Sequence, residues 1–129
     1  MRISSYTLPV GGTMQDLIKA MKALSDETRL RILNVLLERE CCVCEIMQAL
    51  DISQSRASRN LGIIHDAGFL KARRDGAWIV YSLDWQTANR YATSLAKLLK
   101  DSPVSNEILE KDKERLKHVV RVGPTALRK

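Results

Sequence analysis

A chain of 129 residues carrying a formal net charge of +6 and a sequence pI of about 9.5 is long enough to bury one core without disulfide staples, and its basic balance points to a polyanionic partner. No segment approaches the roughly 18 apolar residues of a membrane span, and residues 1–12 lack the layout of a secretory signal, so a soluble protein without membrane partners is expected. Its three cysteines, Cys41, Cys42 and Cys44, form an odd, adjacent set that argues against a secreted disulfide framework and for a reducing, cytoplasmic setting.

Met14, Leu17, Ile18, Met21 and Leu24 recur at helical spacing and predict a first helix of about three turns. Ser25-Asp26-Glu27 reads as the start of a second, with a capping hydroxyl followed by acids, and Leu30, Leu33 and Leu37 form its apolar stripe. The cysteine run comes next, and Val43, Ile46, Met47 and Leu50 predict a short third helix whose first turn contains Cys42 and Cys44. After the break Asp51-Ile52-Ser53, Ser53 is placed to cap a fourth helix over 54–67 with Ala57, Leu61 and Ile64 facing inward. Gln54, Ser55, Arg56, Ser58 and Arg59 cover its outer face, and a short helix, a tight turn and a second helix with such a face is a helix-turn-helix layout.

Segments 70–74 and 77–83 read as strands, and Asp75-Gly76 is a strong hairpin signal. The hairpin carries Lys71, Arg73 and Arg74 directly after the candidate recognition helix, which is the arrangement of a winged helix-turn-helix. Ala88, Tyr91, Ala92, Leu95, Leu98 and Leu99 give a long apolar face on a further helix, more than a small domain buries internally, so a partner subunit is expected. Pro103 ends that helix, and a last one is predicted over 105–121, with Ile108, Leu109, Leu116, Val119 and Val120 on a weaker stripe among charges read as a solvated face. The expected organisation is a flexible arm over 1–13, a mainly α winged helix-turn-helix for DNA binding and dimerisation over 14–101, and a helical extension with a basic tail over 102–129.

Lys22-Ala23-Leu24-Ser25-Asp26-Glu27-Thr28-Arg29-Leu30-Arg31-Ile32-Leu33 resembles the opening signature of ArsR/SmtB-type metalloregulatory repressors. Ser53-Gln54-Ser55-Arg56-Ala57-Ser58-Arg59-Asn60-Leu61 resembles their recognition helix, with Asn60 where the family commonly has His, and Asp75-Gly76-Ala77-Trp78-Ile79-Val80-Tyr81 resembles their wing. Glu40, Cys42, Val43, Cys44 and Glu45 match the arsenic-sensing variant of the third helix, while Cys41 replaces a Leu and Met47 replaces the last Cys of that pattern. The resemblance implies a homodimeric repressor of a palindromic operator, with dimer contacts through Leu17, Met21, Tyr91 and Leu95. The resemblance also implies that no cofactor is needed for DNA binding and that As(III) or Sb(III) is the inducer, bound by Cys42, Cys44 and either Cys41 or a non-protein third ligand.

Base-edge contacts are expected from Gln54, Ser55, Ser58 and Arg59, with Arg56 on either a base or a phosphate, and phosphate contacts from Lys71, Arg73 and Arg74. Residues two apart on a helix point about 200° apart, so Cys42 and Cys44 together would hold one ion only if the first turn distorts. A thiol-based redox sensor and a cadmium, lead or zinc sensor of the same fold are the alternatives. An enzyme is not expected, since a nucleophilic Cys on a phosphate-type loop is missing.

Overall fold

The computed structural model describes residues 12–123, so most of the expected N-terminal arm and the end of the basic tail lie outside the described residues. Among the described residues, six helices and three strands run in the order α1 (Met14–Leu24), α2 (Glu27–Glu38), β1 (Cys41–Cys42), α3 (Val43–Leu50), α4 (Gln54–Asp66), β2 (Leu70–Asp75), β3 (Trp78–Leu83), α5 (Arg90–Asp101) and α6 (Glu107–Leu116). The strands form one antiparallel sheet in the order β1-β3-β2. Among the described residues, no helix is long and apolar enough to cross a membrane.

Side-chain caps set where the helices start. Thr13 and Asp16 form a reciprocal capping box on α1. Asp26 caps α2 by accepting the Arg29 amide at 3.0 Å, while Ser25 belongs to the end of α1, which corrects the expectation of a hydroxyl cap on α2. Ser53 caps α4 as expected, accepting the Arg56 amide. Between α3 and α4, Asp51 adopts a left-handed conformation with φ 57°, which turns the chain sharply enough to set one helix across the other.

The hairpin turn is Gly76-Ala77, one residue later than expected, because Asp75 stays in β2 opposite Trp78. Gly76 supplies the positive φ of 64° that the first position of such a two-residue turn requires. Gly68, at φ 94°, ends the run from α4; a Cβ there would lie 2.9 Å from Thr87 Oγ1 and from Asn89 Cβ. Asn89 caps α5 and donates its side-chain amide to Asp16 O in α1 and to Ala67 O at the end of α4, each at 3.0 Å.

Ile32, Leu33, Ile46, Leu50, Leu61, Ile64 and Phe69 fill the core where α2, α3 and α4 meet the base of the wing. α6 packs on α2 and α3 through Leu109 and Leu116 and ends at Leu116, five residues before the expected end. Its charged face is not uniformly solvated as expected: Asp112 is fully buried, accepts two 2.8 Å hydrogen bonds from Arg31 and one of 2.9 Å from Arg115. Those arginines also donate to Leu50 O and Ala49 O, the orphan carbonyls at the end of α3.

Candidate functional site

β1 puts the cysteines in place. Cys41 pairs with Tyr81 and Cys42 with Val80, so these adjacent residues point to opposite faces of the sheet edge. Cys42 is then the N-cap of α3 with extended dihedrals (φ −86°, ψ 172°), and Cys44 sits in the first turn. The expectation that Cys42 lies inside the helix is therefore wrong, and so is its corollary that the two thiols converge only if the turn distorts. With Cys42 off the helical lattice, the sulfurs already stand 2.6 Å apart on an intact α3.

Cys41 is not brought to this pair. Its side chain is fully buried among core residues and its thiol donates to Arg39 O at 3.7 Å. Among the described residues, no group of three or more His, Cys, Asp and Glu side chains is arranged to hold a metal ion. Burial, together with the contact to Cys44, pushes the Cys42 thiol up to about 12, and burial pushes Cys41 up to about 12 despite the opposing charge of Arg39.

Glu45 anchors the turn from below. It is buried, accepts the Cys42 amide at 2.9 Å, and pairs with Arg39 and, at 3.3 Å, with Arg121. Burial alone would raise its pKa; the amide and the two arginines outweigh that and hold it below the usual carboxylate range. The thiol pair opens on a cavity of about 170 Å³ lined also by Val43, Met47, Gln54, Ala77, Trp78, Ile79 and Val122. The cavity therefore touches α3, the start of α4 and the wing at once, and its far wall comes from the C-terminal segment.

The outer face of α4 is as the sequence indicates: Gln54, Ser55, Arg56, Ser58 and Arg59 are all exposed. Arg56 is also positioned, donating to the hydroxyl of buried Thr28 at 2.6 Å. Asn60 is buried, bonding Arg29 and the Arg56 carbonyl. On the wing Lys71, Arg73 and Arg74 are exposed, but Arg73 is engaged by Glu40 in a two-pronged ion pair at 2.6 and 2.9 Å. Leu17, Met21, Tyr91 and Leu95 lie on the packed pair α1 and α5, with Met21 over half exposed and the other three partly buried. Met14, Ile18 and Leu98 extend the exposed apolar surface of the same two helices.

Sequence reasoning missed Thr28, Trp78, Arg121 and Val122 as parts of this site. Thr28 carried a signal, since it lies within the signature stretch, whereas Arg121 looked like one more charge in a basic tail.

Bacterial regulatory proteins of the arsR family match residues 26–72. The arsenic resistance transcriptional regulator ArsR1 of Pseudomonas putida is 42% identical over 77 residues, covering 57% of this chain and 60% of that protein. The chain thus spans about three-fifths of the length of this curated relative. An uncharacterized HTH-type transcriptional regulator of Methanocaldococcus jannaschii, MJ1325, is 44% identical over 61 residues, covering 46% of this chain and 68% of that one. Among solved structures, the homodimeric winged helix-turn-helix domain Mb0332 of Mycobacterium bovis, a possible ArsR-family regulator, superposes with a TM-score of 0.55 at 27% identity, over 72% of this chain and 90% of that one. With a winged helix-turn-helix in place, the match over residues 26–72 and the HTH-type regulator matched over 68% of its length, the chain belongs to the arsR family of bacterial regulatory proteins.

Proposed function

We propose that this chain is an arsenite-responsive repressor that binds a palindromic operator as a homodimer and lets go when As(III) or Sb(III) bonds to Cys42 and Cys44. The observation that carries the reading is the convergence of these two sulfurs, 2.6 Å apart, at the N-terminus of the helix that precedes the recognition helix. The name of the Pseudomonas putida relative supports the inducer class, and the homodimeric Mycobacterium bovis domain supports the assembly. In such a dimer α1 and α5 bury their apolar face, and two copies of α4 stand about 34 Å apart, one turn of DNA. Gln54, Ser55, Arg56, Ser58 and Arg59 then read base edges, while Lys71, Arg73 and Arg74 meet phosphates.

The protonation state favours arsenite over a divalent ion. Arsenous acid condenses with two thiols: two As–O bonds break, two S–As bonds form, and each thiol proton leaves with a hydroxide as water. A thiol held up to about 12 suits this exchange, whereas Cd²⁺, Pb²⁺ or Zn²⁺ must first strip the proton from the same sulfur. The third position on arsenic is filled by the remaining hydroxide, or by Cys41 if β1 detaches from Tyr81 and Val80 to turn its thiol outward. The second route unpairs the edge of the wing sheet and so disturbs DNA reading directly.

Fluorescence anisotropy of the full chain on a palindrome from its own promoter, titrated with arsenite, antimonite, cadmium, zinc and peroxide, tests the reading. Arsenite is expected to weaken DNA binding by about 5- to 150-fold, the range of ordinary allosteric coupling. Cys42→Ser and Cys44→Ser should each abolish the response, and Cys41→Ser should preserve it if hydroxide is the third ligand. Retained release in Cys44→Ser would defeat the ligand assignment. The same sulfur separation also favours a redox reading, in which peroxide takes two electrons from the pair to give one disulfide and two waters. Release by peroxide but not by arsenite selects that alternative.

A further inference from the structure

Residues 120–122, after α6, fold back onto α3 and the wing. Gln48 of α3 holds both backbone polar groups of Val120, donating to Val120 O at 2.7 Å and accepting from the Val120 amide at 3.1 Å. Trp78 of the wing donates its indole N–H to Val122 O at 2.8 Å. Between these two points Arg121 reaches in three directions: to Glu45 Oε1 at 3.3 Å, to Asp75 Oδ2 at 3.0 Å, and across the Trp78 ring with its guanidinium carbon 5.9 Å from the centroid. Val122 meanwhile forms a wall of the cavity onto which Cys42 and Cys44 open.

We propose that Arg121 is a positioning residue of the inducer site, clipping the C-terminal segment across the thiol cavity and tying the cavity to the wing. This rests on the reading of Cys42 and Cys44 as that site. The physical argument is shared connection. Glu45 is the acceptor that fixes the Cys42 amide, Asp75 closes the last pair of β2 before the turn, and one guanidinium bonds both. A planar fork with a stackable face can do this, whereas a point charge cannot. An occupant bonded to the two sulfurs grows toward Val122 and Trp78 and displaces the segment from the wing. Arg121 then leaves Asp75, which puts an unneutralised carboxylate beside the turn that faces DNA phosphates, and binding weakens.

The test uses the full chain with Arg121→Gln and Arg121→Lys and two readouts. The first is the rate at which Cys42 and Cys44 react with an aromatic disulfide reagent in the free protein. It should rise several-fold in Arg121→Gln, with Arg121→Lys between that and the parent. The second is the ratio of DNA affinities without and with arsenite, which in Arg121→Gln should fall below about threefold while arsenic–thiolate absorbance still forms. An unchanged thiol rate overturns the clip. A faster thiol rate with an unchanged affinity ratio overturns the tie to the wing. If the parent chain forms no arsenic–thiolate absorbance, the inducer reading fails separately, and the thiol rate still decides whether Arg121 closes the cavity.

Discussion

Cys41 and Cys42 are chain neighbours whose side chains live in different surroundings, one in the core and one in the thiol cavity, yet burial raises the pKa of both from an ordinary 9.0 to about 12. A raised thiol pKa means the folded chain holds its proton more tightly than the unfolded chain. The stabilisation is fully present below pH 9 and is lost as pH climbs through the window from 9 to 12. Urea midpoints measured across that window should therefore fall in the parent chain, and Cys41→Ala, whatever its baseline stability, should fall less steeply. Parallel pH profiles for the two chains would show that Cys41 ionises as freely folded as unfolded. Thr28 and Asp26 make a related point about single residues. Both stand in the signature stretch, but Asp26 caps α2 through the Arg29 amide three residues on, a local role, whereas Thr28 seats Arg56 from 28 positions away, which a string of letters does not display.

α4 and the two strands of the wing could be read from the sequence because their determinants are local: Ser53 as a cap, Ala57, Leu61 and Ile64 at helical spacing, a glycine turn between β-rich segments. β1 could not. Two residues have no strand signature of their own, and Cys41 and Cys42 become a strand only because Tyr81 and Val80, far along the chain, lie beside them. That missing strand placed Cys42 on a helix and made a distorted first turn the condition for Cys42 and Cys44 to hold one ion together. The same edge brings Glu40 onto Arg73, so one of the three wing cations is occupied before DNA arrives. Glu40→Gln should free it: DNA affinity should rise at low salt, and the slope of log affinity against log salt should steepen by roughly 0.9 for the extra phosphate neutralised. An unchanged slope in anisotropy titrations over a salt series would mean that Arg73 stays off the backbone.

At the scale of the molecule, α6 is joined to the helix-turn-helix by a buried carboxylate. Asp112 holds Arg31 of α2 and Arg115 of α6, and those arginines in turn hold the end of α3. Asp112→Asn removes the charge and strands both guanidinium groups; because they are partly exposed, the lower end of the range for a broken buried pair applies, about 3 kcal/mol. Urea denaturation should show that loss as one cooperative transition, and a separate early melting of α6 would contradict the joined arrangement. The charge pattern of the last helix looked solvated because a buried Asp has the same letter as an exposed one, and only its two partners, one 81 positions away, identify it. Asn89 performs a comparable junction on the other side of the fold, where its one amide group bonds both α1 and the end of α4 at the start of α5. In the proposed dimer α1 and α5 fix the distance between the two copies, so this amide helps to set the number of base pairs separating the operator's two halves. A repressor altered there would keep its preference for each half-site and lose its preference for how far apart they stand.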